Sequence, residues 1–576
     1  MTSRKRAEFA LHSAIRIPLR DGAHLGAMLY TPREQQAHLP AIVSMTPYVA
    51  DSLHPRGGYF ASRGSCFVAV DVRGRGSSEG EFRPFIQEAR DGYDVIEWVA
   101  RQPWCNGKVG MWGGSYLGYT QWATAKERPP HLATIVPAAA PYIGVDFPLR
   151  NNIFYPYLVQ WLLFTGGRAS QLKIFSDEDF WSDFYRQWHE SGKAFRDIDL
   201  ALGARAPVFQ EWISHPEPDD HWAAYNPTPE QYAALNLPIL TITGSYDDDQ
   251  PGALEHYKEY MRHASAAARA RHYLVIGPWD HAGTATPARE FGGLSVGEAG
   301  VMDLSALHRD WYAWTLEGGP KPDFFRKPVA YYVMGADRWR HGDTLEAVTA
   351  GYQTLFLDSA CNADDVFRSG SLGKEPGVGQ PDKYRYDPRD TSGPEVEAET
   401  QADGNSLVDQ RVLYALRGKS LVYHSAPFEE PTEISGFFRL SLWLAIDCPD
   451  TDFYVSIHEV ASDGTSVRLS TDAMRARYRE GLTSPKRIET TEPLRYDFSR
   501  FTFISREVRK GHRLRLVIAP MGRIIGATFV QKNYNAGGTV SHETVADARP
   551  VTVRLFRDAA HPSALYVPLG QTADEE

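Results

Sequence analysis

The stretch VGMWGGSYLG, residues 109–118, joins an apolar run to a helical pattern through two glycines and a serine. Strand, tight turn and helix in that order are typical of a nucleophile elbow, which exposes a serine hydroxyl. Glycines suit the turn because Cβ atoms flanking the serine would collide there. Ser115 is therefore a candidate nucleophile. The alternative is a glycine-rich turn whose serine caps a helix, and Leu117 departs from the short Gly-x-Ser-x-Gly pattern because the second glycine stands at 118.

On both sides of this stretch, apolar strand-like runs alternate with helical patterns. PAIVSMTPY (40–48) and CFVAVDVRG (66–74) precede it, and LPILTITGSYD (237–247) and HYLVIGPWDH (272–281) follow it. Continuous apolar strands separated by helices predict a parallel sheet covered on both faces. The intervening segment is rich in Trp, Tyr and Phe at helical spacing, which predicts an inserted helical cap.

After Gly318-Gly319-Pro320 the sequence changes to short alternating runs separated by Gly, Asp, Asn and Pro. KPVAYYVMG, GFFRLSLWLAID and RLRLVIAP are examples, and such runs predict an all-β sandwich. A Pro-, Gly- and acid-rich region at 369–409 predicts a long surface connection. The expected fold is thus an α/β sheet with a helical cap and a following β-sandwich. The predicted boundaries are 1–141 and 237–320 for the α/β domain, 142–236 for the cap and 321–576 for the sandwich.

Two later strand ends carry the partners that a nucleophilic serine needs. Asp247 ends LPILTITGSYD and His281 ends HYLVIGPWDH, so the chain order is Ser, Asp, His, as in α/β-hydrolases. The carboxyl ends of parallel strands meet at one edge of the sheet, where active sites lie. We expect Asp247 to orient His281, and His281 to act as the base. Asp248 and Asp249 compete with Asp247 for this role, whereas Asp280 is expected to be a loop residue.

A serine hydrolase needs two hydrogen-bond donors for the oxyanion. One is expected to be the backbone N–H of Tyr116, which follows the nucleophile. The second donor normally arises after the strand that here runs into Thr46-Pro47-Tyr48, so the hydroxyl of Tyr48 is a candidate. The alternative for Tyr48 is an aromatic ring that packs after a proline turn.

Composition narrows the classes of partner. The net charge of −11 disfavours nucleic acid and anionic membrane surfaces, which need concentrated Lys and Arg. The most apolar run, residues 154–164, is shorter than the roughly 20 residues that span a bilayer. Four scattered cysteines predict reduced thiols rather than a disulfide framework. Without a signal-peptide pattern at its start, the sequence favours a cytoplasmic protein. It leaves the oligomeric state open, a homodimer included.

No cofactor or metal is expected from the sequence. The run DVRGRGSSEG, residues 71–80, follows a strand, but its glycines at 74, 76 and 80 do not form the dinucleotide-binding pattern G-x-G-x-x-G. We expect instead a buried network of Asp71 and Arg73 that braces the loop beside the elbow. No His-Glu-x-x-His spacing indicates a zinc site.

The same motifs resemble a known family, which includes bacterial cocaine esterase, α-amino acid ester hydrolases, glutaryl acylases and X-prolyl dipeptidyl-peptidases (CocE/NonD-type hydrolases). The resemblance covers most of the chain in collinear order. It rests on TPY (46–48), DVRGRGSSEGEF (71–82), NGKVGMWGGSYLG (106–118), GSYD (244–247), GPWDH (277–281), DTDFYVSIHEVASDG (450–464) and MRARYRE (474–480).

The resemblance implies an α/β-hydrolase domain with a helical cap and a carboxy-terminal jelly roll. Carried over by position, it makes Ser115 the nucleophile, Asp247 the acid, His281 the base and Tyr48 an oxyanion donor beside Tyr116. It also accommodates Leu117, since family members resemble Gly-x-Ser-Tyr-x-Gly. In the amino acid ester hydrolases, acids after the triad aspartate hold the substrate α-ammonium. Asp249 falls near such a position, although Gln250 stands where a further acid would be similar.

The hypothesis from the sequence is a serine hydrolase that cleaves a small ester, amide or short peptide through an acyl-serine intermediate. Phe154, Trp161 and Trp181 are candidate substrate contacts from the cap, or they pack the cap onto the sheet. Three alternatives stay open: an X-prolyl dipeptidyl-peptidase-like enzyme, an acyltransferase with the same triad, and a non-catalytic binding protein.

Overall fold

The computed structural model describes residues 8–34, 38–521 and 529–571. In this part of the chain, the first large unit is a ten-stranded sheet. In spatial order its strands are Phe9–Pro18, His24–Pro32, Cys66–Asp71, Leu39–Thr46, Cys105–Gly114, Leu132–Ala138, Ile239–Tyr246, His272–Asp280, Val329–Val333 and Arg338–Gly342.

The centre of this sheet is parallel, from Cys66–Asp71 through to Val329–Val333. These strands are buried almost throughout, as expected for a parallel sheet covered by helices on both faces. The helices that connect and cover them are His54–Ala61, Glu88–Ala100, Tyr116–Lys126, Gln250–His263, Ala266–Arg269 and Leu304–Glu317. All parallel strands therefore end at one edge, and the residues that follow them meet there.

The first strand after residue 320 does not belong to the β domain, contrary to the prediction. The run KPVAYYVMG, assigned to the sandwich from its alternation, forms Val329–Val333 and pairs in parallel with His272–Asp280. The next strand, Arg338–Gly342, closes the same sheet in antiparallel fashion. A short apolar strand that joins a parallel sheet resembles a sandwich strand in sequence, so alternation alone did not separate them.

Between Leu132–Ala138 and Ile239–Tyr246 the chain forms a mostly helical insertion, which we call the cap. It begins with the short strands Leu149–Arg150 and Ile153–Phe154. Its α-helices are Tyr157–Phe164, Leu172–Phe175, Glu178–Ser191, Ile198–Ala201, Pro207–Ile213, Asp220–Ala223 and Pro229–Ala234. Aromatic contacts hold the cap on the sheet, for example Trp161 with Phe85 at 5.7 Å between ring centres.

The remainder of the described chain is a mostly β domain with a second core, to which Tyr332 and Met334 also contribute. Its strands are Gly351–Asp358, Gly370–Gly373, Asp382–Tyr386, Leu421–Ser425, Thr432–Gly436, Arg439–Ile446, Asp452–Val460, Ser466–Arg475, Leu494–Phe498, Ile504–Val508, Arg513–Pro520, Val551–Phe556 and Ala564–Leu569. The predicted fold class, an α/β-hydrolase sheet with a helical insertion followed by a β domain, is confirmed.

The region 369–409 is not the irregular surface connection predicted from its composition. It contains two strands of the β domain and the helix Ser392–Ala402, which a second helix, Arg411–Ala415, follows. The sequence signal for the helix is present, because EVEAETQA after Pro394 consists largely of good helix formers. Among the described residues, no helix is long and apolar enough to cross a membrane.

Candidate active site

Ser115 lies in the sharp turn between the strand Cys105–Gly114 and the helix Tyr116–Lys126. Its backbone has φ 59° and ψ −128°, a conformation that is strained for a residue with a side chain. Gly118 explains the shifted glycine of the motif: a Cβ there would lie 2.7 Å from the carbonyl oxygen of Ala138. The helix therefore packs against the end of the neighbouring strand only with glycine at 118.

Asp247 and His281 meet at the same edge of the sheet. The Nδ1 atom of His281 lies 2.8 Å from Oδ1 of Asp247, and Thr243 donates to the other carboxylate oxygen at 2.7 Å. The backbone N–H of Asp249 also donates to Oδ1, at 3.1 Å. Asp247 is thus buried, held on both oxygens, and aimed at the imidazole.

The rival acids occupy other positions. Asp249 Oδ2 lies 3.7 Å from His281 Nδ1, farther than Asp247. Asp280 accepts a hydrogen bond from the backbone N–H of Gly283 at 2.8 Å, so it closes its own turn. Asp248 faces the cavity described below. Of these carboxylates, Asp247 alone is within hydrogen-bonding distance of the imidazole.

The acids beside His281 affect its charge. Burial disfavours the imidazolium, but the hydrogen bond to Asp247 and the charge of Asp249 outweigh it, so the pKa of His281 is raised. Burial raises the pKa of Asp249 to about 7, while the positive charge of His281 opposes that rise. The two groups therefore stabilise each other's ionised forms.

Tyr48 follows the strand Leu39–Thr46 and lies beside Ser115. Its hydroxyl oxygen accepts a hydrogen bond from Trp161 Nε1 at 3.1 Å, so its proton remains available to another acceptor. Burial raises the pKa of Tyr48 to about 12, although the hydrogen bonds with Trp161 and Ser115 lower it. The phenol is consequently a neutral donor at the pH values at which proteins work.

Tyr116 begins the helix after Ser115, so its backbone N–H precedes the intrahelical hydrogen bonds and is free to point at a ligand. Its side chain lies beneath the site, where the hydroxyl donates to Glu88 and accepts from the backbone N–H of Phe85. Burial raises the pKa of Glu88 to about 7, an effect that the Tyr116 hydrogen bond reduces. These contacts fix the first turn of the helix.

A cavity of about 380 Å³ brings the predicted residues together. Ser115, Tyr48, Tyr116, His281 and Asp249 all line it. Because Nδ1 of His281 is engaged by Asp247, the other ring nitrogen, Nε2, is the one left for the serine and a ligand. A serine in an elbow, a histidine oriented by an acid, and two neutral donors are the parts that acyl transfer requires.

Comparisons with known proteins identify the family of the chain. The profile of the X-Pro dipeptidyl-peptidase (S15) family matches residues 21–283, and that of the X-Pro dipeptidyl-peptidase C-terminal non-catalytic domain matches 326–521. The chain belongs to this family of serine hydrolases. Cocaine esterase from Rhodococcus sp. (strain MB1 Bresler) is 27% identical, over 97% of this chain and 99% of its own.

Solved structures share the fold over the full length of the chain. An aminopeptidase from the marine sediment archaeon Thaumarchaeota archaeon superposes with a TM-score of 0.83 at 23% identity, covering 98% of this chain and 97% of its own. An α-amino acid ester hydrolase gives the same TM-score at 21% identity, with the same coverage of both chains. This S15 family member therefore shares the fold of both proteins across its two domains.

Two of the predicted substrate contacts lie away from the cavity. Phe154 is fully buried and packs near Phe195, at 6.5 Å between ring centres. Trp181 is also buried, and its Nε1 donates to the carbonyl of Ile174 at 2.6 Å. Both residues stabilise the interior of the cap, which is the other reading that the sequence allowed. Trp161 lines the cavity as predicted, with additional aromatic walls from Phe85, Phe147, Tyr155, Tyr157 and Tyr185.

The loop after Cys66–Asp71 differs from the expected pairing of Asp71 with Arg73. Asp71 accepts hydrogen bonds from the backbone N–H groups of Ala50 and Ser77, whereas Arg73 forms a two-pronged contact with Asp91. Arg75, which sequence reasoning missed, is fully buried and donates to the carbonyl of Pro47 at 2.7 Å. It also donates to the cap carbonyls of Thr165, Gly167 and Ala169.

The β domain of this S15 family member also reaches the cavity, which the sequence did not indicate. Gln401, from the helix Ser392–Ala402, and Phe529 both line it. The signal was absent because the two residues lie more than 100 positions from the nearest triad residue in sequence. Among the described residues, no cluster of three His, Cys, Asp or Glu side chains is arranged to hold a metal ion.

Proposed function

We propose that this protein hydrolyses esters of small carboxylic acids through an acyl-Ser115 intermediate. The observation that carries the proposal is the convergence of three strand ends on one cavity: Ser115 in its strained turn, and His281 held by Asp247 at 2.8 Å. Membership of the S15 family supports hydrolysis of an ester or amide bond. The neutral phenol of Tyr48 beside Ser115 supports stabilisation of an oxyanion.

The first half of the reaction forms the acyl-enzyme. Ser115 Oγ attacks the substrate carbonyl carbon as His281 Nε2 takes its proton, giving a tetrahedral intermediate with one negative oxygen. Tyr48 O–H and Tyr116 N–H donate to that oxygen. The carbon–oxygen bond to the leaving alcohol then breaks, and His281 gives its proton to that alcohol. Asp247 holds the imidazole in the tautomer with its proton on Nδ1 and stabilises the imidazolium.

The second half releases the acid. Water loses a proton to His281 as its oxygen attacks the acyl carbon, and the same two donors stabilise the second tetrahedral intermediate. The bond to Ser115 Oγ breaks, and His281 returns its proton to the serine. The products are a carboxylic acid and the regenerated hydroxyl. Amide substrates would follow the same steps with an amine as the leaving group.

The wall of the cavity bears on substrate choice. Phe85, Tyr155, Tyr157 and Trp161 provide broad apolar surface, which suits acyl or leaving groups with aromatic or aliphatic bulk. Asp249 offers one acid on the same wall. That acid favours a second candidate function, cleavage of aminoacyl esters or amides whose α-ammonium lies against Asp249.

A substrate panel with an inactive control tests the proposal. Wild-type protein and Ser115→Ala are assayed on p-nitrophenyl esters, free and N-acetylated aminoacyl anilides, and X-Pro anilides. We expect turnover of esters by the wild type and a loss of roughly 10⁴-fold or more in Ser115→Ala. A fluorophosphonate should label Ser115, with loss of fluoride. Equal turnover by both proteins, or no labelling, would refute the mechanism.

The same panel separates the other candidates. A preference for free over N-acetylated aminoacyl substrates supports the α-ammonium contact, and equal rates on the two exclude it. Fast cleavage of X-Pro anilides alone indicates a dipeptidyl-peptidase. Partition of the acyl group to an added amine or alcohol, in preference to water, indicates an acyltransferase.

A further inference from the structure

A second cavity adjoins the catalytic one. It measures about 220 Å³ and lies between the sheet edge, the cap and the β domain. We call it the arginine chamber, defined by Arg150, Asp248, Asp280, Gln401, Arg468 and Thr502. Asp248 and Gln401 line both cavities, so the two spaces adjoin at these side chains.

Arg150 is the unusual residue of the chamber. It is 8% exposed, and no described residue makes a hydrogen bond or ion pair with its guanidinium, whose Nη2 is fully enclosed. Burying a charged group without hydrogen bonds costs several kcal/mol, so buried arginines normally have acceptors. The nearby charges of Asp146 and Asp472 act on Arg150 only through space.

The other buried arginines of the described chain follow the normal rule. Arg75 and Arg557 donate to backbone carbonyls, and Arg475 forms a two-pronged contact with Asp452. Arg340 pairs with Glu433, and Arg515 donates to His424 and Gln410. Arg150 is thus an exception within its own protein, and its position at a cavity next to the active site calls for a ligand that accepts hydrogen bonds.

Two guanidinium groups line the chamber, those of Arg150 and Arg468, and an anion is the ligand that both can bind. Arg468 provides a second guanidinium. Its Nη1 atom lies 3.6 Å from Oε1 of Glu397, so the contact with that acid involves one of its nitrogens. The acids that line the chamber have contacts of their own: Asp247 holds His281, Asp280 accepts from Gly283, and the charge of Asp248 acts on Arg468. A planar carboxylate matches the guanidinium fork and can accept two parallel hydrogen bonds.

We propose that the arginine chamber binds a carboxylate of the substrate, one that is distinct from the ester being cleaved, with Arg150 as its main partner and Arg468 as the second. The proposal rests on the proposed ester hydrolysis and names its substrate class: esters that carry a free carboxylate on the acyl chain or on the leaving group. A substrate bound at Ser115 passes Gln401, which lines both cavities, to place its carboxylate in the chamber.

Paired esters, one with a free carboxylate and one with that carboxylate capped as a methyl ester, test this. For the acyl side, the pair is mono-p-nitrophenyl adipate and its methyl-capped diester. For the leaving-group side, it is 4-acetoxybenzoate and its methyl ester. We expect the wild type to prefer the anionic member of one pair by about 10-fold or more in kcat/KM, since charge-assisted hydrogen bonds are strong. The pair that shows the preference identifies the side of the substrate that enters the chamber.

Variants assign the preference to Arg150. Arg150→Met should remove it, lowering kcat/KM for the anionic ester by about 10- to 100-fold and for the neutral ester by less than about 3-fold. Arg150→Lys should retain part of the preference because it keeps the charge. Arg309→Met is the control, since Arg309 is exposed and pairs with Asp310 on the helix Leu304–Glu317, no residue of which lines the chamber.

The outcomes separate this proposal from the one on which it rests. Turnover of neutral esters with no anionic preference in either pair overturns the carboxylate site and leaves ester hydrolysis standing. Equal loss on both esters in Arg150→Met also overturns it, because that pattern indicates a structural role. If Arg150→Met does not fold, competition by adipate against dimethyl adipate in the wild type decides: stronger inhibition by adipate supports the site, and equal inhibition rejects it.

Discussion

The polar rim and the aromatic wall of the cavity are built in different ways. On the rim, Ser115, Asp247 and His281 each follow a parallel strand, so strand pairing places all three. On the wall, Trp161 comes from the cap, and Gln401 and Phe529 come from the β domain. No pairing between strands of the first sheet places those segments; side-chain packing and hydrogen bonds do, such as the one from the backbone N–H of Gln531 to the carbonyl of Phe154. Substitutions on the rim should therefore change the rate for every substrate, whereas substitutions on the wall should change which substrates are preferred.

Asp247→Asn tests the rim most severely. The amide leaves the shape unchanged but favours the wrong tautomer of His281, and we expect kcat to fall by roughly 10³- to 10⁴-fold on all esters. Asp280→Asn, assayed on neutral esters, is the matched control, because Asp280 ends the strand His272–Asp280 and accepts from the backbone N–H of Gly283. A comparable loss in both variants would show that the two acids are not distinguished as described.

Tyr48→Phe removes a single hydroxyl, which lies between Ser115 of the rim and Trp161 of the wall. The ring keeps its stack on Phe164, 5.1 Å between centres, so folding should be unaffected. We expect kcat to fall by about 100-fold, with little change in KM, because the donor acts on the oxyanion and not on the bound ester. Steady-state kinetics on one good ester measure both constants. A rise in KM alone would assign Tyr48 to substrate binding.

Trp161→Phe tests whether a residue of the wall determines which substrates are preferred. It removes the donor to the Tyr48 hydroxyl, and we expect kcat to fall by about 3- to 10-fold and the order of preference among bulky esters to change. Trp181→Phe is the control, since its indole donates to Ile174 within the cap. That variant should unfold at a lower temperature yet keep its preferences; a change in preference would contradict the assignment of Trp181 to the cap interior.

Asp249→Asn is expected to have the smallest effect, a displaced pH profile. Catalysis needs neutral His281, and the negative charge of Asp249 raises the pKa of that imidazole. Removing the charge lowers the pKa of His281, so the neutral base persists to lower pH. The acidic limb of kcat/KM should move to lower pH by roughly one unit. An unmoved limb, or one displaced to higher pH, would show that Asp249 does not act on the base.

The residues of the rim could be predicted from the sequence because each of them follows a recognisable apolar strand. The same argument located Tyr48 after Leu39–Thr46, and the resemblance to known hydrolases agreed with it. The catalytic roles of these residues stay predictions until the variants are measured. The wall was harder to predict, because Phe154 and Trp181 lie in the same aromatic, helical context as Trp161. Only the three-dimensional packing places Trp161 at the cavity and buries Phe154 and Trp181 inside the cap.

The sequence did not predict the pairing of the strand Val329–Val333 or the role of Arg75, for related reasons. Val329–Val333 resembles a sandwich strand because alternation describes local exposure and not the neighbour with which a strand pairs. Arg75 stands in a glycine-rich loop that carries several charges, and nothing local distinguishes it from Arg73. Their different acceptors, carbonyls for Arg75 and a carboxylate for Arg73, depend on contacts with distant parts of the chain.

The acceptors of Arg75 have an evolutionary consequence. All are main-chain carbonyls, at Pro47 and at three positions of the cap. A carbonyl is present whatever the side chain, so mutation can replace the cap residues there without losing these bonds. Natural variation and cap grafting can thus diversify the recognition surface while the loop that carries Tyr48 stays in place, provided that Arg75 and the local path of the backbone are retained.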